Sequence, residues 1–278
     1  MSLKLMYITN QPAVAQIAES AGVDRIFVDM EYIGKSDRQG GMDTVQSHHS
    51  LDDIKKIACS INKAELLVRV NPIHNATKEY MSSKDEINQT IINGAKIIML
   101  PYFKTVEEVK TFIKLVNGRA KTMLLLETPE AVEVIDDILN VNGIDEIFIG
   151  LNDLSLGYGK RFMFELLMDG TVEDLCYKFK KSNIPYGFGG IASLGKGLLP
   201  SEKIITEHYR LGSTCAILSR SFCNVNKINH IGEISNIFIN GLKEIRDFEK
   251  EVSIHQKYFK NNYNGMKTDI ETIVEKLK

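Results

Sequence analysis

Eight short apolar runs, each followed by an amphipathic stretch, constrain this chain more than any other feature. The runs are Lys4–Ile8, Arg25–Asp29, Glu65–Val70, Lys96–Leu100, Lys121–Leu126, Glu146–Ile149, Ile184–Phe188 and Thr214–Leu218. All are rich in Ile, Val, Leu or Phe, the pattern of strands covered on both faces in a parallel sheet. The intervening stretches read as helices. Gln11–Ala21 has Pro12 in its first turn and Gly22 past its end, and Ser50–Asp53 has capping-box-like spacing ahead of Leu51–Ile61. Lys84–Asn93 closes with Gly94, Thr105–Val116 with Asn117-Gly118, and Pro129–Leu139 at Asn142-Gly143. Thr171–Ser182, Ser201–Leu211 and Glu233–Val252 complete the series. No Pro/Gly/Ser linker divides it, so the 278 residues are read as an α/β protein, a (β/α)8 TIM barrel over residues 1–252 that forms the catalytic domain. Residues 253–278 are polar with one weak apolar pattern and are expected to form a C-terminal helical extension. A doubly wound sheet is the alternative, but its GxGxxG fingerprint is missing where Ile8-Thr9-Asn10-Gln11-Pro12 follows the first run.

Charge and composition narrow the function. A formal net charge of −2 calls for neither nucleic acid nor an anionic membrane as partner. No apolar run reaches bilayer length, and the first residues carry no apolar leader, so a cytoplasmic location is expected. Cys59, Cys176, Cys215 and Cys223 are scattered without a CxxC pair and are read as reduced, structural thiols. No GxxxxGK[ST], GxSxG or zinc-type Cys/His spacing is present.

Barrel enzymes place their chemistry at the C-terminal ends of the strands. Two carboxylates there, Glu127 and Asp153, follow almost wholly apolar strands. Such a position is costly unless the group is paired or binds a cation. Two carboxylates on neighbouring strands suit Mg2+ or Mn2+, with Co2+ also compatible; the alternative is that each caps or complements the helix that follows. Arg69 ends its strand as a candidate clamp for a substrate carboxylate or enolate oxygen, or as a structural ion pair with Glu31 or Glu127. The stretch Tyr32–His49 is long for a connector, and His48 and His49 at its end are candidates for acid–base work or for capping the next helix. His74, His208, His230 and His255 are read as structural or surface groups.

Five segments carry a family resemblance: Ile17–Glu31, Leu67–Pro72, Gly94–Pro101, Leu126–Val132 (LETPEAV) and Val141–Gly159 (VNGIDEIFIGLNDLSLGYG). Over about Gln11 to Phe222 the chain resembles the HpcH/HpaI aldolase and citrate lyase β-subunit superfamily. The resemblance implies reversible, metal-dependent aldol cleavage of a 2-keto-4-hydroxy acid to pyruvate and an aldehyde, in a homo-oligomer that exchanges or packs its C-terminal helices. It assigns the metal to Glu127 and Asp153, a pyruvate- or oxaloacetate-type 2-keto acid to Arg69, and the substrate carboxylate to the backbone N–H groups of Asn152 and Asp153. Glu31 falls in the same substrate-binding set. One departure stands out. The family pattern Asp-x-Glu-His reads Asp29-Met30-Glu31-Tyr32 here, and a tyrosine, with a reference pKa near 10, is a poor base at neutral pH. His48, His49 or a metal-bound water then takes the proton, or the substrate differs. A citrate-lyase-like acyl-CoA lyase, with Lys35 and Arg38 near the CoA phosphates, and a catalytically retired binding barrel are the alternatives.

Overall fold

The computed structural model describes residues 2–34, 49–228, 230–254 and 257–277. Eight parallel strands close on themselves in chain order, β1 (Lys4–Ile8), β2 (Arg25–Asp29), β3 (Glu65–Arg69), β4 (Ile97–Leu100), β5 (Lys121–Leu126), β6 (Glu146–Ile149), β7 (Tyr186–Ile191) and β8 (Cys215–Leu218), with β8 pairing β1. This is the predicted barrel. Seven of the strands lie on the expected runs. The exception is β7, expected over Ile184–Phe188, which starts later and continues through Gly189 and Gly190. Its apolar run ends at Phe188, but pairing with β8 resumes after a register shift between Gly187 and Gly190. Glycine is required here: a Cβ on Gly187 would lie 2.2 Å from the Cys215 carbonyl oxygen, and Gly189 has φ +55°.

Helices cover the outside: α1 (Pro12–Ala21), α2 (Leu51–Ser60), α3 (Ser83–Ile92), α4 (Val106–Val116), α5 (Pro129–Glu133), α6 (Ile135–Leu139), α7 (Leu151–Gly157), α8 (Thr171–Lys181), α9 (Ser201–Leu211) and α10 (Ile231–Ile254). The start signals act as expected. Ser50 and Thr105 form full capping boxes with Asp53 and Glu108, and Gly22 closes α1 in the left-handed conformation. The stretch expected as one helix over Pro129–Leu139 is broken at Val134 into α5 and α6. The tail forms α11 (Lys257–Lys276), which lies along α9 and buries Met266 and Ile270. There Asn262 Nδ2 donates to Glu207 Oε1, Lys203 pairs with Asp269, and the Arg210 guanidinium sits 4.9 Å from the Tyr263 ring centre. None of the described helices is long and apolar enough to cross a membrane.

The barrel interior follows from strand alternation. Phe27, Leu67, Met99, Met123, Leu125 and Phe148 fill its middle. One step of two residues below them, Arg25 is fully buried at the N-terminal end. Its Nη1 donates to Glu146 Oε2 at 2.7 Å and its Nη2 to Oε1, while Nε reaches Glu65 Oε2 at 3.2 Å. Burial by itself lowers this guanidinium's pKa, but Glu146 and Glu65 more than reverse the effect. Arg25→Met leaves Glu146 buried without its bidentate partner. It is expected to lower the unfolding free energy by about 3–5 kcal/mol in urea titrations; a loss below about 1 kcal/mol would contradict this role.

His208 of α9 stacks on Phe188 of β7, with ring centres 3.9 Å apart and planes within 3°, and its Nδ1 lies 2.8 Å from Ser213 Oγ. Burial pushes its imidazole down to about 3. The folded chain therefore keeps the ring neutral, whereas the unfolded chain protonates it near pH 6.5. The resulting stability is full above pH 6.5 and is lost as pH falls toward 3. His208→Leu is expected to flatten the fall of unfolding free energy between pH 6 and 4 by up to about 1.4 kcal/mol per pH unit; an unchanged slope would refute the assignment.

Candidate active site

At the C-terminal end of the barrel the alternation that places Phe27 and Leu67 inside also places Asp29 and Arg69 there. The two are register partners on β2 and β3. Arg69 Nε donates to Asp29 Oδ1 at 2.8 Å and Nη2 to Oδ2 at 2.7 Å, while Nη1 lies 3.3 Å from Glu31 Oε2. Asp29 Oδ1 also accepts the Glu31 backbone N–H at 3.2 Å. Burial by itself lowers the Arg69 pKa; attraction to Asp29 and Glu31 overcomes it, so the net shift is upward and the charge is permanent. The sequence suggested Glu31 or Glu127 as ion-pair partners of Arg69. Glu31 is one, but Asp29, the bidentate partner, was missed. Its signal was parity, two residues beyond Phe27. Two guanidinium N–H groups are thus bonded to Asp29, and Nη1 is ion-paired with Glu31.

Glu127 continues the inward face of β5 past Leu125, and Asp153 lies in the first turn of α7. Both are buried, and with Tyr102 and Leu156 they line one small cavity of about 180 Å3. Neither is a helix N-cap. Thr128 caps α5 by accepting the Ala131 N–H, and Gly150 precedes α7 without a side chain to cap it. Glu127 Oε1 instead accepts the Tyr102 backbone N–H at 3.0 Å, delivered by a left-handed residue with φ 48°. Asp153 Oδ1 accepts from Asn152 Nδ2 at 3.0 Å. A Cβ on Gly150 would lie 2.8 Å from both Glu127 Cβ and Oε2, so glycine here makes room for the carboxylate. The donor set is carboxylate oxygen, the chemistry of a hard divalent ion. The described residues contain no group of three or more His, Cys, Asp or Glu side chains able to hold a metal. Helix geometry also leaves the backbone N–H groups of Asn152 and Asp153 without intrahelical acceptors.

A second cavity, of about 320 Å3, opens beside Arg69 and Asp29, with His49, Asn10, Ser219 and Arg220 in its wall. The structure thus groups Arg69 with His49 on one side of the mouth and Glu127 with Asp153 on the other. The charge of Glu127 still acts on Arg69 across the gap. Tyr32 stands next to Glu31 with its hydroxyl pushed up to about 12, first by burial and then by the charge of Asp29. Such a phenol stays protonated at neutral pH. The backbone at Tyr32 is held by a group the sequence reading overlooked. Asn71 Oδ1 accepts the N–H groups of both Tyr32 (2.8 Å) and Ile33 (2.9 Å), and its Nδ2 donates to the buried Glu86 at 2.8 Å. His48, Lys35 and Arg38 lie outside the described residues.

Residues 4–162 match the family model HpcH/HpaI aldolase/citrate lyase. The chain belongs to this family. Over an alignment of 196 positions the chain is 24% identical to the 4-hydroxy-4-methyl-2-oxoglutarate aldolase tasA of Hapsidospora irregularis, with 59% of this chain and 65% of that protein covered. Among solved structures, an HpcH/HpaI aldolase from Desulfitobacterium hafniense DCB-2 superposes with a TM-score of 0.60 at 16% identity, over 88% of this chain and 93% of that one. The citrate synthase SbnG superposes with a TM-score of 0.59 at 15% identity, over 88% and 94%. At these identities the likeness to both structures is one of fold.

Asn71→Ala removes the acceptor of two backbone N–H groups and leaves Glu86 without its amide donor. It is expected to cost about 1–3 kcal/mol and to speed hydrogen exchange at the Tyr32 and Ile33 amides. Unchanged exchange there would show that another group holds this segment.

Proposed function

We propose that this protein is a carbon–carbon lyase, a class II aldolase that reversibly cleaves a 2-keto-4-hydroxy acid to pyruvate and an aldehyde. The observation that carries the reading is that one barrel mouth holds both a charged Arg69, fixed by Asp29, and the buried carboxylates Glu127 and Asp153, in a chain of this family. Glu127 and Asp153 would hold Mg2+ or Mn2+, with Co2+ an acceptable substitute. The bound ion supplies Lewis-acid polarisation of a keto group, which acidifies the neighbouring C–H bonds.

The protein's own residues do the rest. Asp29 and Glu31 fix the guanidinium plane, so the N–H groups of Arg69 that are not bonded to Asp29 meet the keto acid without reorganisation. These donors favour the oxyanion that develops as the C–C bond breaks more than they favour the neutral ketone. The N–H groups at the start of α7 offer further donors to the substrate carboxylate. Tyr32, protonated at neutral pH, acts as a donor beside Glu31 and not as the base. The aldehyde half would enter the cavity beside His49 and Arg220.

The reading is tested by deuterium exchange into the methyl group of pyruvate in the presence of Mg2+ or Mn2+. Wild-type protein is expected to exchange, Glu127→Ala to lose exchange by more than about 10²-fold, and a chelator to abolish it. Full exchange with the metal stripped out would sink the metal assignment. No exchange under any condition would favour a barrel that binds without catalysing.

A further inference from the structure

Register fixes which residues of β7 face the barrel interior. Gly187 pairs with Cys215 and Gly190 with Ile217. Cys215 and Ile217 belong to the interior apolar cluster, and side-by-side partners on parallel strands share a face. Both inward positions of β7 are therefore glycine. The two differ in what the backbone demands. Gly187 is forced, because a Cβ there would press on the Cys215 carbonyl. Gly190 is not. It lies outside the left-handed region, and a Cβ would stand 3.4 Å from Ser219 Cβ and 3.7 Å from the Ile217 carbonyl oxygen, which are ordinary contacts. A strand glycine gives up packing and chain entropy, and where the backbone does not require it, it marks a place kept open.

The missing side chain uncovers apolar surface. Phe27, Leu67, Met99, Met123, Leu125 and Phe148 are sealed inside the barrel, whereas Ile8 of β1 and Ile217 of β8 pack on the same cluster and stay partly exposed. Ile217 is the residue that a side chain at Gly190 would flank. Ile8 and Ile217 line the same 320 Å3 cavity as Arg69. The cavity beside the keto-acid clamp thus has an apolar floor. Its polar groups are engaged or peripheral: Asp29 holds Arg69, Asn10 serves the Asp53 carboxylate, and Arg220 is exposed beyond the end of β8.

We propose that Gly190 is a specificity-determining position, whose missing side chain leaves room over Ile217 and Ile8 for an apolar substituent of the aldehyde half. The claim rests on the aldolase reading above and names its acceptor class: an alkyl or aryl aldehyde, not one that ends in a carboxylate. The keto acid stays with Arg69, and the substituent on the reacting carbonyl extends over the isoleucine floor. Carbon set there leaves water for apolar contact. A carboxylate on the same floor would give up its water for no cation. Valine at position 190 would fill the gap with three carbons and cover Ile217.

The first arm of the test needs no turnover. In full-length protein labelled with 13C in its isoleucine δ1 methyl groups, 3-methylbutanol is expected to shift the signals of Ile8 and Ile217, assigned by their loss in Ile8→Val and Ile217→Val. Gly190→Val is expected to raise the concentration needed by at least about 10-fold. No shift at either isoleucine in the wild-type protein overturns the proposal. The second arm compares acceptors in Mn2+-dependent addition of pyruvate. Wild-type protein is expected to favour 3-methylbutanal over both acetaldehyde and glyoxylate by at least about 10-fold in kcat/KM. Gly190→Val should lower the ratio of 3-methylbutanal to acetaldehyde by about 10–200-fold, and Gly190→Ala, whose Cβ fits without displacement, should lower it less. A preference for glyoxylate, or a ratio unchanged in both variants, overturns the specificity role. Methyl shifts as expected, with no deuterium exchange into pyruvate, overturn the aldolase reading and leave the apolar pocket beside Gly190 in place.

Discussion

The fork between Arg69 and Asp29 is the interaction on which the rest of the barrel mouth depends. Two N–H groups meet two carboxylate oxygens at 2.8 and 2.7 Å, and both residues are inward-facing register partners on adjacent strands. Burying a guanidinium demands partners of this geometry, because desolvation alone works against the charged form. Once the fork is made, several consequences follow. Glu31 is drawn to the third side of the guanidinium, and the N–H of Asp29 is aimed at His49. Replacing Arg69 by lysine would keep the charge but lose the fork, and with it the orientation of everything attached.

A second arginine obeys the same rule at the opposite end. Arg25 sits four residues before Asp29 on the same strand and the same face, where it joins Glu65 and Glu146 into a buried plug. Between the two ionic layers lies an apolar one of Phe, Leu, Ile and Met. The barrel is therefore closed at its bottom by a satisfied ion pair and open at its top, where the carboxylates Glu127 and Asp153 gather beside a glycine that leaves them space. The polar groups at the top are held by backbone donors and caps. Tyr102 reaches Glu127, Asn71 holds Tyr32 and Ile33, and Thr128 caps α5, so their positions follow from rigid elements and not from mobile side chains.

Much of this was legible in the residues. The strand runs, the helix starts at Ser50 and Thr105, and the polar positions Arg69, Glu127 and Asp153 are local signals, each set by periodicity or capping within a few residues. Other features had no local signal. Glu146 is 121 residues from Arg25, and only barrel closure brings them together. Asn71 and Glu86 look like ordinary polar residues of a loop and a helix until both are seen buried behind Tyr32. β7 was displaced because its second half is glycine, which carries no hydropathy to read. Asp29 could have been recognised from its parity with Phe27, but the choice of Asp29 over Glu127 as the bidentate partner of Arg69 is made by the register of β2 on β3.

What the sequence by itself determined is the barrel and the identity of its polar rim, because strand and helix periodicities, caps and turn glycines are local and strong. What only the tertiary structure decided is how those rim residues are shared out. It assigned Arg69 to Asp29 and Glu31, and placed Glu127 and Asp153 in one cavity and His49 in another. These are questions of register and closure. Contacts between residues tens of positions apart settle them, and no window of sequence contains both partners.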